Sequence, residues 1–459
     1  MDSNYIKSAG TLENPELIRG RDISYAKKLS WSDIFNRLMI IFLGVAILLF
    51  IIIMKSKTTV DFSSGPVLYL YAIFVTTFEL SRIASAMLYE KSYKSIFFDA
   101  NRQALDGEYE PMVTFVIPCK NEEKAIARTV YQCYQSQYPK EKLEIIVIND
   151  GSTDHTLDIL QKLTRTVPSL KVINFIHNKG KRNGMAEGFK MASGEIVVQL
   201  DSDSYIDPYT FRNIIAPFQN KEIAAVCAHA DPQNADKNFI TKMQAAYYFM
   251  SFRVLKAAES TFMSVFCCSG CSSAYRKSMV MPIIGQWLNE KFLGLPVTWG
   301  DDRALTSWLL KEGHKTIYTD QVQAYTIVPE KFKQLLKQQL RWKKSWIINS
   351  IFTSKFIWKK QPFVAFLYYF PLVIVSFLTP IMTFRALFYL PVIKSVAPFY
   401  HIFGVMLITA LLAVCCRIFS KKESHWPYLF LWSLFNLFIL SFVMFWAVIK
   451  IQDRGWGTR

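Results

Sequence analysis

Long apolar blocks near both ends of the chain, with a polar region between them, restrict the possible folds more than any other feature of the sequence. The first runs from about Leu38 to Met54, and the second, from about Pro66 to Leu88, carries only Glu79 and Arg82. Past Trp346 come three more, at about Phe363 to Leu390 (broken near Pro380), Tyr400 to Cys416 and Tyr428 to Ile449. About 20 apolar residues in a helix span the hydrocarbon core of a bilayer, so the ends are expected in membrane and the middle outside it. The 51% hydrophobic and 15% aromatic content is concentrated in those ends. Charges within spans are costly against lipid, so Glu79, Arg82, Arg385 or Arg417 is expected to face a polar path. For the second block, a buried amphipathic helix is the alternative reading.

The first block follows too long a polar segment to be a secretory leader, and no small-residue cleavage site follows it, so it is expected to be retained. Arg19, Arg21, Lys27, Lys28 and Arg37 precede it, and Lys91, Lys94 and Arg102 follow the second block, against Lys55 and Lys57 between them. Lysine and arginine accumulate on the cytoplasmic side, which puts the N-terminus and the central domain in the cytoplasm of a multi-pass plasma-membrane protein. The net charge of +17, from 53 basic and 36 acidic residues, comes without a compact basic module of interleaved aromatics. Anionic lipid and anionic substrates therefore explain it better than nucleic acid. Of eight cysteines only Cys268 and Cys271 have CxxC spacing, and no second pair or histidine completes a zinc site.

Between the ends, β-branched runs at Met112 to Ile117, Leu143 to Ile148, Leu170 to Ile176 and Glu195 to Leu200 alternate with helical patterns at Glu122 to Tyr134, Thr156 to Leu163 and Asn183 to Ala192. Uncharged strand centres in such an alternation predict an α/β domain with a mostly parallel sheet covered on both faces. Ligands of such sheets bind at the carboxyl ends of the strands, where the polar blocks of this sequence fall.

Asp201-Ser202-Asp203 directly follows the fourth run. Alternate positions of an extended chain point the same way, so both carboxylates can converge on a hard cation, Mg2+ or Mn2+, with diphosphate oxygens completing its shell. An acidic turn is the plain alternative, but the basic block Asn178-Lys179-Gly180-Lys181-Arg182 upstream favours a nucleotide, with Lys179 and Arg182 as phosphate or nucleotide contacts. Asp150 can accept from the imide N–H of uracil, make an Asx turn into Gly151-Ser152, or do both. Gly300-Asp301-Asp302-Arg303 opens a helical stretch, where a carboxylate often serves as a cap. Inverting glycosyl transfer, however, needs a base for the acceptor hydroxyl, and Asp302 is the candidate. The basic helix Phe332 to Trp346 suits an interfacial anchor, which accounts for Lys333, Lys337, Lys343, Lys344 and Trp346. Gln338 and Arg341 share another role on one helical face and are assigned to the diphosphate, with Trp342 for a sugar ring.

Together these blocks resemble the processive family-2 glycosyltransferases, which include hyaluronan, chitin and cellulose synthases. Similarity to the hyaluronan synthases in particular rests on Asn178 to Arg182, Asp201-Ser202-Asp203-Ser204-Tyr205, Cys268-Ser269-Gly270, Phe292 to Val297, Gly300 to Thr306, Gln338 to Trp342 and the terminal Trp456-Gly457-Thr458-Arg459. It covers roughly Met112 to Trp346 plus the terminus. The resemblance implies a cytoplasmic glycosyltransferase domain of the GT-A type, inserted between transmembrane helices with interfacial helices beside it, polymerising UDP-GlcNAc and UDP-GlcA and translocating the polymer. It implies uracil at Asp150 and Lys179, diphosphate and metal at Asp201 and Asp203, and the base at Asp302. Acceptor contacts would come from Cys268, Ser269, Gly270 and Trp342, a diphosphate contact from Arg341, and a mobile gate from Trp456 and Arg459. Asn149 stands where many relatives have the first Asp of a DDG, and the last five residues are also similar to a capsule synthase alternating glucose and glucuronate, so sugar choice stays open. A chitin-oligosaccharide synthase is the other alternative. A lipid-linked single-sugar transferase would share the DxD but lack the Gln-x-x-Arg-Trp and Trp-Gly-Thr-Arg blocks.

Three crossings after Trp346 would carry Trp456 to Arg459 to the side away from the nucleotide. Tyr428 to Ile449 is therefore expected to lie at the interface or dip in, although its hydropathy alone reads as a span. The expected division is a cytoplasmic tail (1–35), two transmembrane helices (36–90), the catalytic domain (91–330), amphipathic interfacial helices (331–360), a channel region (361–450) and the gating segment (451–459). Polysaccharide hydroxyls and carboxylates cannot cross hydrocarbon unaided, so the enzyme is expected to be its own channel. UDP-sugars, nascent polysaccharide and membrane lipids are the expected partners, with no obligate protein partner.

Overall fold

The computed structural model describes residues 66–92, 109–394, 398–419 and 424–453, together with the isolated helical positions Leu38, Phe42, Val45 and Leu49. The N-terminal tail, most of the first apolar block, and Trp456 and Arg459 lie outside the described residues.

Strands β1 (Val113–Cys119) and β2 (Leu143–Asp150) are buried at every position, because their apolar side chains meet helices on both faces. They pair in parallel from Val113 opposite Leu143 to Cys119 opposite Asn149. β3 (Leu170–Phe175) adds in parallel outside β2, and β4 (Ile196–Gln199) outside β1. This half of the sheet is the one the sequence predicts. Glu144 fastens it from within, accepting from Thr114 Oγ1 at 2.6 Å, Lys171 Nζ at 2.6 Å and the Ser193 N–H at 2.7 Å.

The other half narrows the expectation of a mostly parallel sheet to a mixed one, in which two of the eight strands run against the other six. After the edge strand β5 (Tyr205–Ile206) and the fully buried β6 (Ile223–Pro232), β7 (Ser273–Arg276) runs antiparallel between β4 and β6. Ser273-Ala274-Tyr275-Arg276 lacks the apolar run of a buried parallel strand and follows no crossover helix of its own, so the sequence pattern passes over it. A short hairpin, β8 (Lys291–Phe292) with β9 (Leu295–Pro296), stands apart, and β10 (Lys315–Thr326) pairs in parallel with β6 and antiparallel with β5. The order is β3-β2-β1-β4-β7-β6-β10-β5, a mixed eight-stranded sheet.

The helices that matter to the site are α1 (Pro66–Ser92), α2 (Ile126–Tyr134), α3 (Thr156–Leu163), α4 (Lys181–Met191) and α5 (Phe239–Met250), the last continuing through a wide π turn at Ser251–Lys256. They are followed by α6 (Asp301–Lys311), α7 (Phe332–Ser354), α8 (Pro362–Ile393), α9 (Phe399–Phe419) and α10 (Tyr428–Ile449). α8, of 32 residues, and α10, of 22, are long and apolar enough to cross a membrane by length and composition. α1 runs alongside α8, with Phe78 against Tyr368 at 5.8 Å and the Tyr71 and Thr379 hydroxyls 2.6 Å apart. Its far end is tied to the catalytic domain, where Tyr89 Oη donates to the Tyr318 carbonyl at 3.2 Å. α10 lies along α5 and α7: Trp432 stacks on Tyr247 at 4.1 Å and Phe435 meets Phe332 at 5.3 Å. Both flanks of α10 are fastened to this same body, His425 Nε2 to Asp236 Oδ1 at 2.9 Å and the Asp453 carbonyl to Lys344 Nζ at 3.1 Å.

Candidate active site

The carboxyl ends of the strands open into a cavity of about 1100 Å³. Its wall carries Lys181, Asp201 and Asp203 at one part, Cys267, Ser269, Gly270 and Asp302 at another, and Gln338, Gln339, Arg341 and Trp342 on α7. It continues between the long helices, where Arg82, Ser376, Thr379, Asn436 and Ser441 line it.

α4 brings the basic block to the acidic one. The Lys181 ammonium pairs with Asp201 Oδ1, and although burial opposes its charge, Asp201, Asp301 and Asp302 hold its pKa above the usual 10.5. α4 can lie this close to the sheet because a Cβ on Gly188 would stand 2.3 Å from Val116 Cγ1, a contact only glycine avoids. Gly270 crosses the same wall, and a Cβ there would meet Asp201 Oδ1 at 3.1 Å. Asp203 Oδ1 accepts from Ser204 Oγ at 3.2 Å.

Asp302 sits in the first turn of α6. Its Oδ1 accepts from the Arg303 N–H at 2.8 Å; its Oδ2 accepts from the Gly270 N–H at 3.2 Å and lies 3.7 Å from Cys267 Sγ. Burial pushes this carboxyl up, but Lys181, Arg303 and the two N–H groups outweigh it and hold it below the ordinary 3.8. It is therefore a carboxylate at neutral pH, able to accept a proton. Gly300, with φ at +64°, sets the turn, and a Cβ there would fall 1.7 Å from Ser345 Oγ on α7. The base candidate and the Gln338–Trp342 face are thereby locked at a fixed separation.

Four sequence candidates, Arg182, Cys268, Asp150 and Lys179, are not on the cavity wall. Arg182 points into the protein, where Nε donates to Asp301 Oδ1 at 3.0 Å and Nη1 to the Trp287 carbonyl at 3.0 Å and Glu290 Oε2 at 3.2 Å. It braces α6 and does not line the cavity. The Cys268 thiol is buried in the core, and the cavity is faced instead by its neighbours Cys267, Ser269, Gly270 and Cys271. Asp150 accepts from the backbone N–H of Lys179 at 2.6 Å and of Gly180 at 2.9 Å, so it binds the basic loop in place of the Asx turn into Gly151-Ser152. The Lys179 ammonium lies over the Phe175 ring at 4.3 Å. Arg385 and Arg417 are absent from the cavity wall, whereas Arg82 lines it, paired with Glu79 at 3.0 Å.

Sequence reasoning gave no role to Glu259, Arg303 or the Cys267 side chain, all of which line the cavity, and it gave Lys343 to the membrane interface. Burial pushes the Lys343 ammonium down to about 8. It also pushes the Glu259 carboxyl above its ordinary 4.5, against Lys256, Arg82 and Arg303. Arg303 was within reach, since it adjoins Asp302 in the same block; nothing in a run of lysines marks Lys343 as the one on the cavity wall.

A nucleotide-sized cavity at the carboxyl ends of a mixed α/β sheet, with paired aspartates, an anchored lysine and a third, separately held carboxylate, has the form of a glycosyltransferase site of GT-A type. Residues 114–283 match the family described as glycosyl transferase family 2. The chain carries a family-2 glycosyltransferase domain and is similar over most of its length to hyaluronan synthases. The hyaluronan synthase of Streptococcus pyogenes serotype M3 is 29% identical over 399 residues, 85% of this chain and 90% of that one. An N-acetylglucosaminyltransferase of Azorhizobium caulinodans is 26% identical over 355 residues, 76% of this chain and 87% of that one. Among solved structures, a mannosyltransferase from Pyrobaculum calidifontis in complex with GDP-Man and Mn2+ shares the fold, with a TM-score of 0.53, 18% identity, and coverage of 80% of this chain and 99% of that one.

Proposed function

We propose that the protein is a membrane-embedded, processive, inverting transferase that polymerises UDP-GlcNAc and UDP-GlcA into hyaluronan and moves the polymer across the plasma membrane. The observation that carries this reading is the continuity of one cavity from Asp201, Asp203 and Asp302 to the helix faces bearing Ser376, Thr379, Asn436 and Ser441. Hydroxyls and an amide lining one cavity between otherwise apolar helices suit a hydrated chain better than lipid. The names of the relatives support both this polymer and the alternative, a chitin-oligosaccharide synthase.

In this mechanism Asp302 takes the proton of the acceptor hydroxyl as that oxygen attacks the sugar C1 from the face opposite the leaving diphosphate. Trp342 and the backbone around Ser269 and Gly270 hold the acceptor ring; Lys181, Gln338 and Arg341 face the diphosphate. Asp150 acts by holding the Lys179-Gly180 loop, from which the uracil end of the site would be built. Two carboxylates on one cavity wall, Asp201 and Asp203, are hard oxygen donors that fit Mg2+ or Mn2+, although among the described residues no group of three or more metal-ligating side chains gathers. When bound, such a cation neutralises the charge developing on the diphosphate.

α10 belongs to the interface in this reading. Both its flanks hold to the catalytic body through His425 and Asp453, which supports a helix returning to the cytoplasmic side instead of a third crossing. The expected topology keeps α8 and α9 as spans beside α1 and the first apolar block.

The test is incorporation of radiolabelled UDP-GlcNAc by the purified protein with Mg2+ or Mn2+, with and without UDP-GlcA. Polymer that needs both donors and is cut by hyaluronidase is the expected result; polymer from UDP-GlcNAc alone, cut by chitinase, refutes the hyaluronan assignment.

A further inference from the structure

Two cations on the cavity wall, Arg303 and Lys343, make no hydrogen bond or ion pair through their side chains among the described residues. The other cations deep in the cavity are engaged: Lys181 by Asp201, Lys256 by the Cys267 carbonyl, Arg82 by Glu79. Arg303 has its Cζ 4.9 Å over the ring of Trp346. Lys343 precedes Trp346 by three positions on α7, so the two share a face with Cβ atoms about 5–6 Å apart. Leu340 and Ile347, three before and four after Lys343, pack with Met444, Ala447 and Phe377. That turns Lys343 toward α8 and α10, into the helical part of the cavity and away from the aspartates that would meet the diphosphate. Lys343 is half-buried on the cavity wall, and a partly desolvated ammonium without a counter-ion is costly, a cost an arriving anion would offset.

We propose that Arg303 and Lys343 form a station for the carboxylate of a uronic-acid unit in the growing chain, just past the transfer point, with Trp346 between them as a stacking face. The inference rests on the polymerising reading above and names which chain suits it. A guanidinium presents a planar fork to a carboxylate and a lysine adds a mobile point charge. Arg303 has the Asp302 and Glu259 carboxylates near it, whereas a neutral chain of N-acetylhexosamine would leave the Lys343 ammonium with no counter-ion. The station thus favours a carboxylated polymer and passes over a neutral one.

The experiment compares binding of two labelled oligosaccharides of equal length to the full-length protein in detergent, with UDP present. One alternates N-acetylglucosamine and glucuronate; the other contains N-acetylglucosamine alone. The carboxylated one should bind about 10-fold more tightly, the scale of one charge-assisted contact. Lys343→Gln should remove most of that preference and leave the neutral ligand unaffected, while Lys343→Arg retains it. Equal binding of both ligands by the unmodified protein, or equal loss of both in Lys343→Gln, overturns the station. Release of UDP from sugar nucleotides, measured on the same preparations, separates the two claims. Release without the preference refutes the station alone, and no release refutes the transferase reading beneath it.

Discussion

Replacing Gly300 by alanine should uncouple the base candidate from the helix that faces it. The new Cβ would stand 1.7 Å from Ser345 Oγ and 2.6 Å from Ser345 Cβ, at a φ of +64°. Holding an L-residue in the left-handed region costs about 1–2 kcal/mol. Turning the Ser345 hydroxyl aside clears the first contact, but Cβ is fixed to the backbone, so α6 and α7 must part by about 1 Å in a close-packed interior. Overpacking of this kind costs about 1–3 kcal/mol. The total, about 2–5 kcal/mol, should appear as a lower unfolding temperature of the purified protein in detergent. A shift of about 1 Å in Asp302 relative to Trp342 should cost on the order of 100-fold in transfer rate, read as initial UDP release. Ser345→Gly removes both offending atoms, so the double variant should recover the overlap share, about 1–3 kcal/mol and most of the rate, but not the backbone share. A Gly300→Ala protein with unchanged stability and rate, or a double variant no better than the single one, would refute the reasoning.

Asp302→Asn should keep UDP binding and lower transfer by about 100- to 10,000-fold; retained synthesis would remove Asp302 as the base. Lys181 is among the groups holding Asp302 below the ordinary 3.8, so Lys181→Met should move the acid limb of the pH–rate profile upward, and a limb that stays or moves down contradicts the assignment. Arg182→Met should lower stability by about 3–5 kcal/mol because it leaves Asp301 and Glu290 as unpaired buried carboxylates. UDP affinity of the protein that remains folded should not change, and a selective loss of affinity would restore Arg182 to the nucleotide site. Burial pushes the Glu144 carboxyl up, but its bonds to Lys171, Thr114 and Ser193 outweigh that and depress it below the usual 4.5. Its folded value being the lower one, its stabilisation is present above about pH 4.5 and is lost on acidification through the folded value. Glu144→Gln should flatten that part of the stability–pH curve, as thermal unfolding at pH 3 to 6 would reveal.

Periodicity and spacing disclose those parts of this protein that depend on neighbours in the chain. The parallel strands β1 to β4 and their helices announce themselves as apolar runs, and Asp201-Ser202-Asp203 by its place after one of them. Partners far apart in the chain are different. Nothing local says that Arg182 turns inward to Glu290, more than a hundred residues later, while Lys181 beside it turns to Asp201. On a helix beginning at Lys181 the two side chains diverge by about 100°, so one block serves both the core and the cavity. Lys343 and Lys344 repeat the lesson, one facing α8 and α10 and the other reaching the Asp453 carbonyl. The antiparallel β7 was hidden because its burial comes from its neighbours β4 and β6 and not from its own four residues.

Pro380 stands inside α8, on the cavity wall with Ser376 and Thr379. Proline has no N–H to give, so the Ser376 carbonyl four residues back loses its regular helical donor. Wide π turns at Ala365–Tyr369 and Arg385–Tyr389 interrupt the ladder on either side. A passing sugar would find a main-chain oxygen there, and main-chain oxygens do not discriminate among hydroxyls. Such a surface would behave as a bearing, gripping every unit of a repeating polymer equally and none strongly enough to stop it.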